Sequence, residues 1–223
     1  MALPILETPK FETTLPSDGL RITFRPFTVK EQKNLMIVQE GAEEKVAMKV
    51  LADCLAACTE QEINIFKRPV VDFEWLFLQV RSKSVGESVE LTGKCASCEA
   101  SYDFALDLTK VDVPKFPESK VKVTDDLTIE FRNVSMGDLR DADDGDSIVA
   151  RCAKSIHYKN ETYTEFTPEE FKRFIEPLTL DQYAKIDAFF QNQPSLRLKS
   201  SQKCKKCGQN NEIEIEGVFN FFI

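Results

Sequence analysis

The chain has 223 residues, 42% of them hydrophobic and 17 of them Phe, enough to bury a core in one or two domains and too apolar for a disordered segment. A net charge of −8 and a pI near 4.9 argue against a primary role on nucleic acid, because neutralising phosphates takes clustered Lys and Arg. Apolar runs such as Trp75-Leu76-Phe77-Leu78 fall far short of the ~18–20 residues of a membrane helix.

From the N-terminus, Phe11 to Leu15, the turn Pro16-Ser17-Asp18-Gly19 and Leu20 to Phe24 predict a β-hairpin. Thr28 stands three residues before Glu31, a capping box that opens a helix over Lys30 to Gln39. After Gly41, the spacing of Val46, Val50, Leu51, Cys54, Leu55 and Cys58 is helical. Cys54 and Cys58 share a face with Leu51 and Leu55 and read as small core residues, so they are left out of any metal site. Pro69 begins a further helix with Asp72 and Glu74 near its positive end, Trp75 reads as core or interface, and Gly86 stops it.

The following run, Glu87 to Leu108, holds Cys95 and Cys98 in a turn between strand-like segments. The segment after it opens with Val113-Pro114-Lys115-Phe116-Pro117. Val121-Lys122-Val123 and Leu127 to Phe131 then predict a second hairpin, and Met136–Ala142 and Ser147–Ile156 read as helix. The acidic run Asp143-Asp144-Gly145-Asp146 fails as a calcium loop, since Gly145 at the sixth position puts Arg140 first and Cys152 twelfth. His157-Tyr158 and Thr162-Tyr163 flank a short hairpin; its Asn160-Glu161-Thr162 sequon requires a secretory route for which no leader is seen. Thr167-Pro168-Glu169-Glu170 caps a helix that Pro177 ends, and Leu178–Asn192 is the last helix before Gln193-Pro194. Helices that alternate irregularly with hairpins favour α+β over a doubly wound sheet.

The second Cys-x-x-Cys, Cys204 and Cys207, repeats the pattern of the first: strand, Lys-Cys-x-x-Cys, strand, ending in the alternating Glu212-Ile213-Glu214-Ile215-Glu216. Two such turns offer four thiolates, the ligand set of a closed tetrahedral zinc site. Between Cys98 and Cys204 lie 105 residues, against the ~15–20 of a compact zinc ribbon, so a split ribbon with an insertion is expected. The organisation that follows is residues 1–85 as N-terminal hairpin and helices, 86–110 with 195–223 as the split zinc-ribbon-like module, and 111–194 as an inserted α+β segment. A redox pair remains an alternative, but a thioredoxin-type turn opens a helix after a strand, and neither pair does. Seven cysteines without a leader point to a reducing compartment and a soluble, intracellular chain. The lysines Lys94, Lys199, Lys203, Lys205 and Lys206 read as offsetting the charge of a tetrathiolate.

Nothing in the sequence supports catalysis. His157, the sole histidine, falls in a predicted hairpin and reads as a packed or exposed bystander, because a base needs a positioned nucleophile and an orienting partner, and no glycine-rich phosphate loop occurs. A zinc held by four cysteines has no open position for water.

The run Leu15 to Lys33, with Leu-Pro-Ser-Asp-Gly followed by Arg-Pro-Phe-Thr-Val-Lys-Glu, together with the Cys-x-x-Cys turns and the length, resembles the baseplate hub assembly proteins of T-even-like contractile-tailed phages. The resemblance implies a virion morphogenesis factor or minor hub component without enzymatic activity, made in the host bacterial cytoplasm and contacting baseplate hub and central spike proteins; the zinc is argued from this sequence alone. Contact elements expected on that reading are the arm Met1–Pro9 and the aromatic tail Phe219–Ile223, with burial of the tail in the protein's own core as the alternative. The competing reading is a zinc-ribbon nucleic-acid adaptor using the lysines around Cys204 and Cys207.

Overall fold

A computed structural model describes residues 6–39, 41, 43–113 and 115–217. The architecture is mixed α+β with small antiparallel sheets, and it divides into two units: Met1–Asn64 with Val71–Pro114 and Ser195–Ile223, and Ile65–Val70 with Lys115–Pro194. The tail Phe219–Ile223 and the first five residues of the expected N-terminal arm lie outside the described residues.

In the first unit, β1 (Phe11–Thr14) and β2 (Arg21–Phe24) form the predicted hairpin, with Ile22 and Phe24 buried. Helix α1 (Val29–Gln39) starts where Glu31 accepts from the Thr28 N–H at 2.8 Å, and α2 (Glu44–Cys58) buries Leu51, Cys54, Leu55 and Cys58 along one stripe. Helix α3 (Val70–Val85) carries two buried carboxylates in its first turns. Asp72 accepts from the Ser17 N–H at 3.0 Å, and Glu74 accepts from the Leu196 N–H at 2.8 Å. Trp75 is half-buried, and its Nε1–H donates to Thr13 Oγ1 at 2.9 Å. Gly86 ends the helix at φ 132°, a backbone conformation open to glycine and costly for other residues. Two further hairpins follow: β3 (Ser88–Lys94) with β4 (Ser101–Asp107), and, from the far end of the chain, β9 (Arg197–Lys203) with β10 (Asn210–Glu216). In β10 the alternation is real but shallow: Ile213 and Ile215 are half-buried while Asn211 is the buried residue.

The second unit is built on a four-stranded sheet in the order β5 (Lys120–Lys122), β6 (Leu127–Phe131), β7 (Ala153–Tyr158), β8 (Glu161–Tyr163). Helices α4 (Met136–Asp141), α5 (Gly145–Cys152), α6 (Pro168–Ile175) and α7 (Leu180–Gln191) complete it. Its core joins Val123, Ile129 and Phe131 of the sheet region to Phe171, Ile175, Ile186 and Phe189 of the helices. Phe131 is the hub, with ring centroids 5.4 Å from Phe189, 5.2 Å from Phe190 and 6.0 Å from Phe171.

One element departs from the expectation. The helix predicted over Ser147–Ile156 ends at Cys152, and Ala153–Ile156 belong to β7. This segment pairs along β6, and its last residue, Ile156, also pairs with Tyr163 of β8; that pairing overrides an apolar spacing that periodicity alone cannot assign. The capping box at Thr167 and Glu170 forms as read, while a second at Thr179 and Gln182 starts α7 two residues later than expected. Asp144 accepts from the Ser147 N–H at 2.7 Å, which makes the acidic run a helix start.

Two substitutions test this packing. Phe131→Ala should cost about 3–5 kcal/mol, because three neighbouring rings cannot collapse into the space. A Cβ at Gly137 would stand 2.7 Å from the Phe66 backbone oxygen, so Gly137→Ala should cost about 1–3 kcal/mol. Urea unfolding of each variant against the parent measures both losses.

Candidate metal centre

Each cysteine pair sits on a turn closed by the same local bonds. Cys95 N–H donates to Ala100 O at 3.0 Å and Glu99 N–H to Cys95 O at 2.9 Å; Cys204 N–H donates to Gln209 O at 2.8 Å and Gly208 N–H to Cys204 O at 2.9 Å. Both turns pass through the left-handed region directly after the second cysteine, Glu99 at φ 57° and Gly208 at φ 76°. That reversal lets the chain rejoin the hairpin while both sulfurs of a turn face the same side.

The two turns meet. The sulfurs of Cys95, Cys98, Cys204 and Cys207 all lie within 4.8 Å of one another. Cys95 Sγ is 3.6 Å from Cys207 Sγ and Cys98 Sγ is 3.7 Å from Cys204 Sγ. A tetrahedron with metal–sulfur arms of ~2.3 Å has edges of about 3.8 Å, so these separations fit one ion at the centre. All four cysteines are free, and both distances are far beyond the ~2.05 Å of a disulfide. Cys95 and Cys204 are buried, Cys98 is half-buried and Cys207 is exposed, so the cluster is covered on one side.

Backbone donors favour thiolate at the first cysteine of each turn. The N–H groups of Ser97 and Cys98 lower the Cys95 thiol to about 6, and those of Cys207 and Lys206 lower Cys204. Cys207 behaves oppositely: the Gln209 N–H pulls it down, but the sulfurs of Cys98, Cys95 and Cys204 push it up to about 11. Four thiolates brought to this spacing would repel one another, and a divalent cation is the group that would remove the conflict.

Asn211 was not singled out in the sequence and supports the site. Its Oδ1 accepts from the Ala96 N–H at 3.1 Å, tying the first turn to the second hairpin, while its Nδ2 donates to Gln209 O at 3.3 Å. An uncharged polar residue at the first inward position of an otherwise Glu/Ile alternation is the one sequence signal that marks it. Lys94, Lys203, Lys205 and Lys206 are all exposed around the turns, and Lys199 pairs with Glu214 at 3.4 Å.

The residues set aside in the sequence lie elsewhere. Burial pushes the Cys54 thiol up to about 11 and the Cys58 and Cys152 thiols up to about 12, so none of the three presents a ready thiolate. His157 bonds Ser155 Oγ through Nε2 and Thr162 Oγ1 through Nδ1, each at 3.0 Å, which engages both ring nitrogens on the sheet. Among the described residues, no helix is long and apolar enough to cross a membrane.

A family model described as T4 bacteriophage base plate protein matches residues 8–223, which takes in both hairpins and everything between them. The baseplate hub assembly protein gp26 of Enterobacteria phage T4 is 26% identical over 207 residues, covering 90% of this chain and 92% of that protein. No solved structure matches. The match runs through both cysteine turns and nearly the whole length, so the chain belongs to the T4 bacteriophage base plate protein family.

Proposed function

We propose that this protein is a baseplate hub component or hub assembly factor that works through protein–protein contacts, held in shape by one structural zinc ion on Cys95, Cys98, Cys204 and Cys207. The likeness to a hub assembly protein along 90% of the chain is the observation that carries the first part. The four converging sulfurs carry the second. Zinc suits the donor set because four thiolates form a closed shell around a d¹⁰ ion, and the ion would supply structure and charge balance without a site for water. On this reading the hairpins of residues 86–110 and 195–217 act as one clasped module, the chain is made in the host bacterial cytoplasm, and its partners are other hub proteins and the central spike.

The nucleic-acid adaptor reading has less to stand on. Its lysines surround only the second turn, and the strand that follows carries Glu212, Glu214 and Glu216. A phosphate-binding face needs cations that are not interleaved with carboxylates.

Three outcomes follow. Elemental analysis of protein purified without chelator should find one zinc per chain; absence of bound metal would remove the zinc from this account. Replacing Cys95 and Cys204 together by Ser should lower the melting temperature strongly, by the several kcal/mol that closure of a long loop and satisfaction of the thiolates contribute. An affinity-tagged copy expressed during infection should co-purify with hub intermediates and fail to retard DNA. Salt-sensitive DNA binding without hub proteins would favour the adaptor.

A further inference from the structure

Twelve residues, Leu20 to Glu31, align without a gap on Leu127 to Asp138 at a constant offset of 107. Leu, Ile, Phe and Arg are identical at 20/127, 22/129, 24/131 and 25/132, and Thr28 with Glu31 matches Ser135 with Asp138. The contacts match as well. Arg25 Nη2–H donates to Glu31 Oε1 at 3.2 Å and to Ala57 O at 2.9 Å; Arg132 Nη2–H donates to Asp138 Oδ1 at 2.8 Å and to Arg151 O at 2.9 Å. The Nη1–H groups reach the next residue's carbonyl in each case, Pro26 O at 3.0 Å and Asn133 O at 3.2 Å. The backbone N–H of Arg25 bonds Cys58 O at 2.8 Å, and that of Arg132 bonds Cys152 O at 2.9 Å. Both cysteines are the last residue of the second helix, and the residue after each bridges back to the strand, Thr59 to Phe24 and Ala153 to Phe131.

The likeness extends in both directions. The preceding hairpins share their register: Thr14 pairs with Arg21 and Glu12 with Thr23, as Lys122 pairs with Thr128 and Lys120 with Glu130. At the other end, β3 and β4 map onto β9 and β10 at a constant offset of 109, with Lys-Cys-x-x-Cys at the same place and Val89 buried where Leu198 is. Even the closing bond agrees, Leu108 N–H to Glu87 O at 2.8 Å and Gly217 N–H to Leu196 O at 3.2 Å. A capping box alone is too common to mean anything. Strand register, a guanidinium with the same three partners, a helix ending on cysteine and a cysteine hairpin, all in the same chain order, mark a repeat.

We infer that the chain is a tandem duplication in which residues 11–107 and 120–216 are two copies of one unit, hairpin, Arg–carboxylate clasp, helix pair and Cys-x-x-Cys hairpin, each copy supplying half of the four-sulfur cluster. The copies have diverged between their landmarks. The helix pair has shortened from 11 and 15 residues to 6 and 8, and the second copy carries β7, β8 and two helices where the first has α3 alone. The clasp has been kept in both because it joins three things at once: the end of a strand, the start of one helix and the end of the next. Burial alone would push Glu31 and Asp138 up; the hydrogen bonds from Arg25 and Thr28, and from Arg132 and Ser135, outweigh it and hold each carboxyl at about 2. The duplication also accounts for two cysteines outside the cluster, since Cys58 and Cys152 occupy one position of the unit.

Hydrogen exchange of the full chain, read by mass spectrometry, tests the equivalence. Arg25→Gln should speed exchange about tenfold or more in peptides covering residues 22–31 and 54–60 and leave 127–138 and 148–154 protected. Arg132→Gln should do the converse. Should either variant fail to fold, Arg25→Lys and Arg132→Lys, which keep the charge and lose the fork, should give smaller losses at the same two pairs of segments. Losses at unmatched segments, or a loss from one of the two substitutions with none from its counterpart in the other copy, would overturn the inference.

Discussion

Four unbridged sulfurs within 4.8 Å of one another are the constraint on which the first unit depends. The hairpins that carry them are two-stranded ribbons with seven-residue strands, and each has only shallow burial on its inward face. Such ribbons are marginal by themselves in water. The second is anchored at its base, where Glu74 accepts from the Leu196 N–H and Asp112 bridges to Arg197, and the two meet at their tips through the cysteine turns and the Asn211 bond. A cation among the thiolates would convert mutual repulsion at the tips into attachment between segments more than a hundred residues apart. A few metal–sulfur bonds would then stand in for a core the ribbons do not have.

The second unit is held by an aromatic core of its own. Phe131 gathers three aromatic rings around one strand, and its neighbour Arg132 fixes the sheet to the helices through Asp138. Read beside Phe24 and Arg25, this is one structural idea used twice, with the buried Phe facing the core and the adjacent Arg reaching the other way to lock the helix start. A baseplate protein must present fixed surfaces to neighbours, and both devices, the sulfur cluster and the clasp, serve rigidity. No step of the account calls for a catalytic group.

Much of this was legible in the sequence where local chemistry decides the structure. The Pro16 to Gly19 turn, the Thr28 and Thr167 caps, Gly86 and both cysteine turns each carry their own signal, and each formed as read. The failures lie where distant pairing decides. Ala153–Ile156 has apolar spacing that suits a helix, but pairing along β6, and with β8 at Ile156, makes it a strand, and nothing local announces those partners. For the same reason the two predicted hairpins of the second unit gave no sign of joining into one sheet. The four-cysteine cluster was readable because cysteine spacing is a chemical signal independent of fold. The wider repeat escaped because only four of twelve residues are identical across the clasp and the lengths between landmarks differ; it emerges when hydrogen bonds, not letters, are compared.

The central claim is that both turns bind one ion through sulfur alone, and X-ray absorption at the zinc edge of the purified full-length protein addresses it most directly. The account predicts a first shell of four sulfurs at about 2.3 Å and no nitrogen or oxygen ligand. A shell containing nitrogen or oxygen, or only two sulfurs per metal, would contradict it.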